Sequence, residues 1–188
     1  MGPRERYREQ VRDEVKQHAW EQIATAGVSA LSLNAIAKQM GMSGPALYRY
    51  FANRDELITA LIRDAYRSLA DTARAAYDGG ADLVGLARAI REWALVDPHR
   101  YLLIYGTPVP GYHAPADTTA ISDQVMAVIL EAAGEPAVHR GLLFWTRVHG
   151  VLSLELAGHF HGMSVDPAAL VTEEIEALAV VRAGSHRS

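Results

Sequence analysis

The sequence predicts an all-α fold, a small three-helix head followed by a larger helical domain. Three observations carry that expectation. Apolar residues recur three or four positions apart through most of the 188 residues, the period of a helix with one buried face. No stretch alternates apolar and polar residues as a half-buried strand would. The joints between periodic stretches carry Gly or Pro, at Gly27, Gly41, Gly79-Gly80, Asp97-Pro98 and Gly134, where helices stop. A chain of this length can bury a proper core, and an apolar content of 49% is ordinary for a globular protein.

The first helix is expected over about residues 9–26, with Val11, Val15, Ala19 and Ile23 as its buried stripe and Gly27 as its stop. Trp20 lies beside that stripe as a core residue. Upstream, Arg4, Arg6 and Arg8 interleave with Glu5 and Glu9, as either a frayed helix start or a basic arm. Ser32 then caps a short helix carrying Leu33, Ile36, Ala37 and Met40, and Gly41 ends it cheaply because a left-handed residue is best without a side chain. Ser43 caps the next helix. Pro45 fits its first turn, where no backbone N–H is needed, with Leu47 and Phe51 on one face and Tyr48 on another. Each of these two helices is read as about two turns.

A long helix over residues 54–77 follows the tight Ala52-Asn53 link. Asp55 and Glu56 suit the positive end of its dipole, and Leu57, Ile58, Leu61, Ala65 and Leu69 share one side. Gly79-Gly80 marks the break in domain organisation, giving a head at 1–54, a connecting helix at 55–78 and a second domain at 79–188. Residues 82–96 read as a helix with Leu83, Leu86, Ile90 and Trp93, stopped by Asp97-Pro98. A short helix at 98–105 precedes a loop at 106–116, which holds three prolines and two glycines. Helices at 117–133, from Pro136 to about 161 and from Asp166-Pro167 to about 182 complete the chain, with AGSHRS expected to be disordered.

Two short helices joined by a three- or four-residue turn containing Gly form a helix-turn-helix, whose second helix enters the DNA major groove. The residue types go further. Ile36-Ala37, Gly41, Ser43 and Ala46-Leu47-Tyr48-Arg49-Tyr50-Phe51, followed by Arg54-Asp55-Glu56-Leu57, resemble the signature of TetR-family transcriptional regulators over roughly residues 10–60. Two later stretches, Trp145-x-x-x-His149-Gly150 and Asp97-Pro98-His99-x-Tyr101, resemble a subgroup of that family with a Trp-His-Gly (WHG) motif in the C-terminal domain. The resemblance implies a DNA-binding head, an effector-binding and dimerisation domain, and pairing of the last two long helices across a twofold axis. A ligand-responsive repressor released from DNA by its effector is the expected function, with activation as an alternative.

Phosphate contacts fix register, and base-edge contacts specify sequence. The expected DNA-binding residues are Ser32, Ser43, Gly44, Pro45, Tyr48, Arg49, Tyr50 and Arg54. The resemblance makes Tyr48 a phosphate and groove contact, and Arg54 a phosphate contact. Tyr50 stands where the family most often has His. Arg49 either reads a base or phosphate or sits in a surface ion pair. Ser43 and Gly44 bring backbone N–H groups, and Ser32 caps its helix, with or without touching phosphate. Many relatives carry Lys or Arg where this chain has Gly44-Pro45, which leaves few long donors. DNA shape and the arginine arm are expected to contribute more in compensation.

In the second domain, Leu143, Trp145, Val148, His149, Leu152, Leu156 and Phe160 cover more than one stripe of the 136–161 helix. A helix apolar on two sides is central or shared with a partner chain. Leu152, Leu156, Phe160, Val171, Ile175 and Leu178 are the expected dimerisation residues. Two recognition helices about 34–36 Å apart match a pseudo-palindromic operator, and a single small head binds weakly and salt-sensitively. Trp93, Tyr101, Tyr105, Tyr112, Phe144, Trp145 and His149 either line a pocket for a small, mostly hydrophobic effector or fill the core. Glu155 has Arg147, Arg140 or an interface as its expected partner.

No catalytic residue, cofactor or metal is expected. The chain has no cysteine, nucleophile elbow or Gly-rich phosphate loop, so an enzyme is disfavoured. His113, His159 and His161 lack the companions of a zinc site, and His159 and His161 would diverge on a helix. The net charge is −4, yet residues 1–60 carry eight Lys/Arg against seven Asp/Glu while the remainder carries ten against fifteen. The acid surplus thus lies away from the head. The charged first residues do not read as a signal peptide, and apolar runs fall short of the roughly 20 residues of a membrane span. A cytoplasmic protein without membrane contact is expected. The remaining rival is a helical protein whose head grips a protein partner instead of DNA.

Overall fold

The computed structural model describes residues 2–113, 115 and 117–184, with only the backbone for 117, 119 and 179–184. Among the described residues it is all-helical: α1 (Pro3–Ala26), a 3-10 turn (Val28–Ala30), α2 (Leu33–Gln39), α3 (Gly44–Leu47), α4 (Arg54–Asp78), α5 (Leu83–Val96), α6 (Pro98–Tyr105), α7 (Asp117–Ala133), α8 (Ala137–Leu156) and α9 (Pro167–Gly184). The expected order of elements therefore holds. Residues up to Ala65 pack with His99–Thr118 as one compact unit, and Tyr66–Pro98 packs with the chain from Thr119 onward as another. The expected boundaries at 54 and 78 fall at the two ends of α4.

Three element ends differ from expectation. Helix α1 starts at Pro3 rather than near residue 9. Gly2 is extended, Pro3 suits the first helical position, and the Glu5 carboxylate accepts the Gly2 N–H at 2.7 Å. The next stripe position, Tyr7, is exposed and no buried apolar residue marks those first turns, so periodicity missed them. Helix α3 is four residues long instead of two turns. Past it the chain tightens, with the Tyr50 N–H on the Leu47 carbonyl at 2.8 Å, and Pro45 lends no N–H.

Helix α8 ends at Leu156, not near 161. The N–H of Gly158 bonds the Glu155 carbonyl at 2.9 Å and that of His159 the Leu154 carbonyl at 3.0 Å, with Gly158 at φ +77°. This is the 5→2 and 6→1 pair of a Schellman cap. Consequently His159, Phe160 and His161 lie on the turns after α8 and not on a helix, which corrects their reading. The same pair of bonds closes α2 at Gly41 and α4 at Gly80. Residues 185–188 of the expected disordered tail lie outside the described residues.

In the first unit the predicted stripe of α1 is buried, together with Leu33, Ile36, Leu47, Phe51, Leu57, Ile58 and Leu61. Trp20 is half-buried, under the Arg100 guanidinium at 5.6 Å. In the second unit α8 packs against α9 and α5. A Cβ at Gly141 would lie 2.6 Å from Leu130 Cδ2, so the missing side chain lets α8 approach α7 closely. Arg91 of α5 grips Glu155 of α8 with two nitrogens, Nε at 2.8 Å and Nη2 at 2.5 Å. Glu155 thus pairs with neither expected arginine. Arg147 donates to the Glu174 carbonyl at 2.7 Å, and Arg140 to the Ala133 carbonyl at the end of α7. Helical spacing along α8 shows only near neighbours in sequence, and Arg91 arrives from a different helix.

Candidate nucleic-acid interface

The helix-turn-helix is built from caps and one locked turn. Ser32 accepts the Ala35 N–H on its hydroxyl at 3.3 Å, and its own N–H goes to the Gln22 side chain at 3.0 Å. Leu47 and Phe51 are fully buried. Arg12 of α1 closes the other end: its guanidinium stacks 4.0 Å from the Phe51 ring centroid, donates to the Tyr50 carbonyl and lies 3.5 Å from Glu56. Glu56 in turn accepts the Ala52 N–H at 2.7 Å, and Asn53 caps α4 by accepting the Glu56 N–H at 2.8 Å. Arg8 reaches the Arg49 carbonyl at 3.5 Å. The carbonyls at the end of the short recognition element are therefore held by arginines of α1.

What remains outward on that turn is Ser43, Pro45, Tyr48 and Arg49, all exposed. Tyr48 keeps 43% of its surface exposed, and among the described residues the Arg49 guanidinium makes no hydrogen bond or ion pair. Gly44 is half-buried, and a Cβ there would stand 3.2 Å from Asn34 Oδ1 of α2. Close packing of the two helices thus accounts for a glycine at that position. Tyr50 is half-buried, and its carbonyl is taken. Arg54 spends one nitrogen on the Val28 carbonyl at 2.8 Å and lies 3.9 Å from Asp55. Arg12 was not singled out from the sequence, and Arg8 was read only as part of a frayed start or basic arm. Their spacing, one helical turn apart and in line with Arg4, was the available signal.

The residues expected at an effector pocket fall in both units. In the first, Tyr101 is buried with its ring 5.3 Å from that of Tyr105, and the Tyr112 hydroxyl shares a 2.9 Å hydrogen bond with Thr59 of α4. In the second, Trp93 donates its indole N–H to Ser68 of α4 at 3.0 Å and Phe144 is fully buried. Trp145 and His149 stack at 5.5 Å and 26°, and burial lowers the His149 pKa. Two cavities in the second unit, about 440 Å³ beside Arg88, Arg91 and Thr172 and about 460 Å³ beside Asp82, Gly134 and Arg140, are lined by other residues.

Of the expected dimerisation residues, Leu152, Val171, Ile175 and Leu178 are buried within the single chain, while Leu156 and Phe160 are half-buried. The outward side of α8 carries a different stripe. Val138 and Leu142 are 64% and 50% exposed, and Trp145, His149 and Leu156 continue it, half-buried, at helical spacing.

A capped helix-turn-helix with an outward Tyr-Arg turn, set before a larger helical domain, defines a helix-turn-helix DNA-binding regulator. Residues 17–61 match the family described as "Bacterial regulatory proteins, tetR family", and residues 83–178 match "Tetracyclin repressor-like, C-terminal domain". The chain belongs to the TetR family of transcriptional regulators and is not an enzyme. It is similar to HTH-type transcriptional regulator Rv1816 of Mycobacterium tuberculosis, 34% identical over 226 aligned positions that cover 97% of each chain. The same figures hold for regulator Mb1846 of Mycobacterium bovis, 34% over 97% of each. Its structure is similar to that of the regulatory protein SCO4313, with a TM-score of 0.91 at 61% identity, covering 94% of this chain and 98% of that one. A Rhodococcus sp. RHA1 protein of unknown function shares the fold at 22% identity, with a TM-score of 0.77 and 89% and 92% of the two chains covered. Among the described residues, no helix is long and apolar enough to cross a membrane.

Proposed function

We propose that the protein is a ligand-responsive repressor that binds a pseudo-palindromic operator as a homodimer and leaves it on binding a small, mostly hydrophobic effector. One observation carries the DNA end. Ser43, Pro45, Tyr48 and Arg49 point outward from a turn whose inner face, Leu47 and Phe51, is fully buried and clamped by Arg12. Tyr48 and Arg49 then meet phosphate and base edges, Ser43 and Gly44 present backbone N–H groups, and Ser32, Tyr50 and Arg54 flank them. The long donors are few, so the reading leans on DNA shape.

The α8 stripe supports the dimer, because an isolated chain would leave Val138 and Leu142 exposed and Trp145 and Leu156 only half-covered. We assign the C-terminal domain to the Trp-His-Gly subgroup on the stacked Trp145–His149 pair and Gly150. Effector coupling runs through α4, a single helix that carries Arg54 at its start, Thr59 bonded to Tyr112, and Ser68 bonded to Trp93. An effector that binds the two states of α4 unequally shifts operator occupancy; one that binds them equally does nothing. The site of action is the cytoplasm, where the DNA is.

Selection of bound duplexes from a random pool, with Tyr48→Ala as the control, tests the reading. Wild type is expected to enrich a palindrome with half-sites about one helical turn apart, and the variant to lose it. No enrichment even at low salt would end the operator reading and point to a protein partner for the head.

A further inference from the structure

We infer that the first two turns of α1 are a second DNA-backbone contact, a rigid rack for phosphates beside the recognition turn. The inference rests on the operator reading above and adds residues to it. The buried stripe of α1 runs Ile23, Ala19, Val15, Val11, and one more step of four reaches Tyr7. That position is 63% exposed. Helix α1 therefore overhangs the packed head, and its inward face continues past the core with Tyr7 left uncovered among the described residues.

The side chains on that overhang fit one occupant. Arg4, Arg8 and Arg12 follow one another at steps of four, so they lie within about 80° of arc on the side of Tyr7 and Val11. Arg12 holds the Tyr50 carbonyl and Arg8 reaches the Arg49 carbonyl at 3.5 Å. Those two bonds fix the row alongside the exposed Tyr48-Arg49 pair. Arg4, one turn further out, makes no hydrogen bond or ion pair among the described residues. Glu5 turns away to the Gly2 N–H at 2.7 Å and does not neutralise the row.

Arg4 and Arg8 stand about 6 Å apart along the helix axis, against one phosphate per roughly 3.4 Å of each DNA strand. Exposed, aligned cations beside a recognition turn are complementary to a phosphate backbone. The expected role is positional, with strength gained on any sequence and none of it spent on base identity.

The test measures operator affinity of the full-length protein as a function of salt. Arg4→Gln/Arg8→Gln is compared with Arg6→Gln, which removes a charge from the far side of the helix, and with Tyr48→Ala. The double variant is expected to bind about tenfold or more weakly and to flatten the salt slope by about 2 per head, with the selected sequence unchanged. Arg6→Gln should leave the slope close to wild type. An unaltered slope in the double variant, with Tyr48→Ala still defective, overturns the rack and leaves the operator reading standing. Equal losses in the double variant and Arg6→Gln overturn it as well, since distant charge and not contact would then be at work. A wild type that binds no DNA removes both readings together, a result the other outcomes cannot imitate.

Discussion

The helix-turn-helix and helix α8 both carry apolar and aromatic residues at helical spacing, yet the structure uses them differently. In the first, burial and exposure divide cleanly: Leu47 and Phe51 are sealed, and Tyr48 and Arg49 beside them face out. In α8 the division is blurred. Phe144, Val148 and Leu152 are buried, Leu142 is half exposed, and Trp145, His149 and Leu156 lie between those limits. A short element pinned by buried Leu47 and Phe51 and by Arg12 sorts its residues into core and contact. A long helix apolar on two sides shares them between its own core and whatever covers its outer face.

The sharpest way to break the first half of that contrast is a pair of neighbouring truncations. Phe51→Ala removes a fully buried ring and the face on which Arg12 stacks. It should cost about 3–5 kcal/mol of stability, read by urea titration. Tyr48→Ala should stay within about 0.5 kcal/mol of wild type while DNA binding fails. Equal destabilisation by the two would mean that Tyr48 packs rather than contacts.

A comparable loss is expected inside the second unit. The Arg91–Glu155 pair has side chains only 18% and 15% exposed, and the hydrogen bonds that Arg91 donates to Glu155 hold its guanidinium above the usual pKa. Glu155→Ala leaves a mostly buried cation without its hydrogen-bonded partner and should cost about 2–3 kcal/mol, whereas Arg91→Met/Glu155→Leu should come within about 1 kcal/mol of wild type. A double variant as unstable as the single one would show that the pair fixes the packing of α5 on α8, beyond cancelling its own charge.

The next contrast separates the two sides of α8. Leu152→Ser should destabilise each chain by about 3 kcal/mol, as loss of a buried side chain does. Leu142→Ser should leave chain stability within about 0.5 kcal/mol and weaken self-association, measured by sedimentation, by about tenfold. An association constant unmoved by Leu142→Ser would take the outward stripe out of the dimer interface.

The sequence made the head legible because its devices are local. The Ser32 cap, the Gly41 stop and the four-residue spacing of Leu47 and Phe51 each act over a few residues, so each leaves a readable mark. Helix order and the family were equally legible. Three things were not. The overhang of α1 carries only the exposed Tyr7 on the line of the stripe, so its start at Pro3 rests on a Pro at the first position and one Glu5 hydrogen bond. The partner of Glu155 comes from α5, a pairing that periodicity along α8 cannot encode. Finally, Leu152 and Leu142 are the same residue type on one helix, and only the packing of α5 and α9 decides which is covered.

His149 offers the finest test of the blurred side. It stacks on Trp145 within the outward stripe, and burial lowers its pKa from the ordinary 6.5. The sign follows from proton uptake. Above about pH 7.5 folded and unfolded chains both hold the neutral imidazole, and His149 adds no pH dependence. As pH falls through 6.5 the unfolded chain takes up the proton first, so the folded state loses stability until its own lower pKa is reached. The urea midpoint of wild type should therefore drop between pH 7.5 and 5.5 by more than that of His149→Gln. If a second copy covers the stripe, the burial deepens. The difference between the two proteins should then grow with protein concentration, in step with association. A difference that ignores concentration would assign the lowered pKa to the single chain alone, and would put His149 with the core residues of α8 rather than with its contacts.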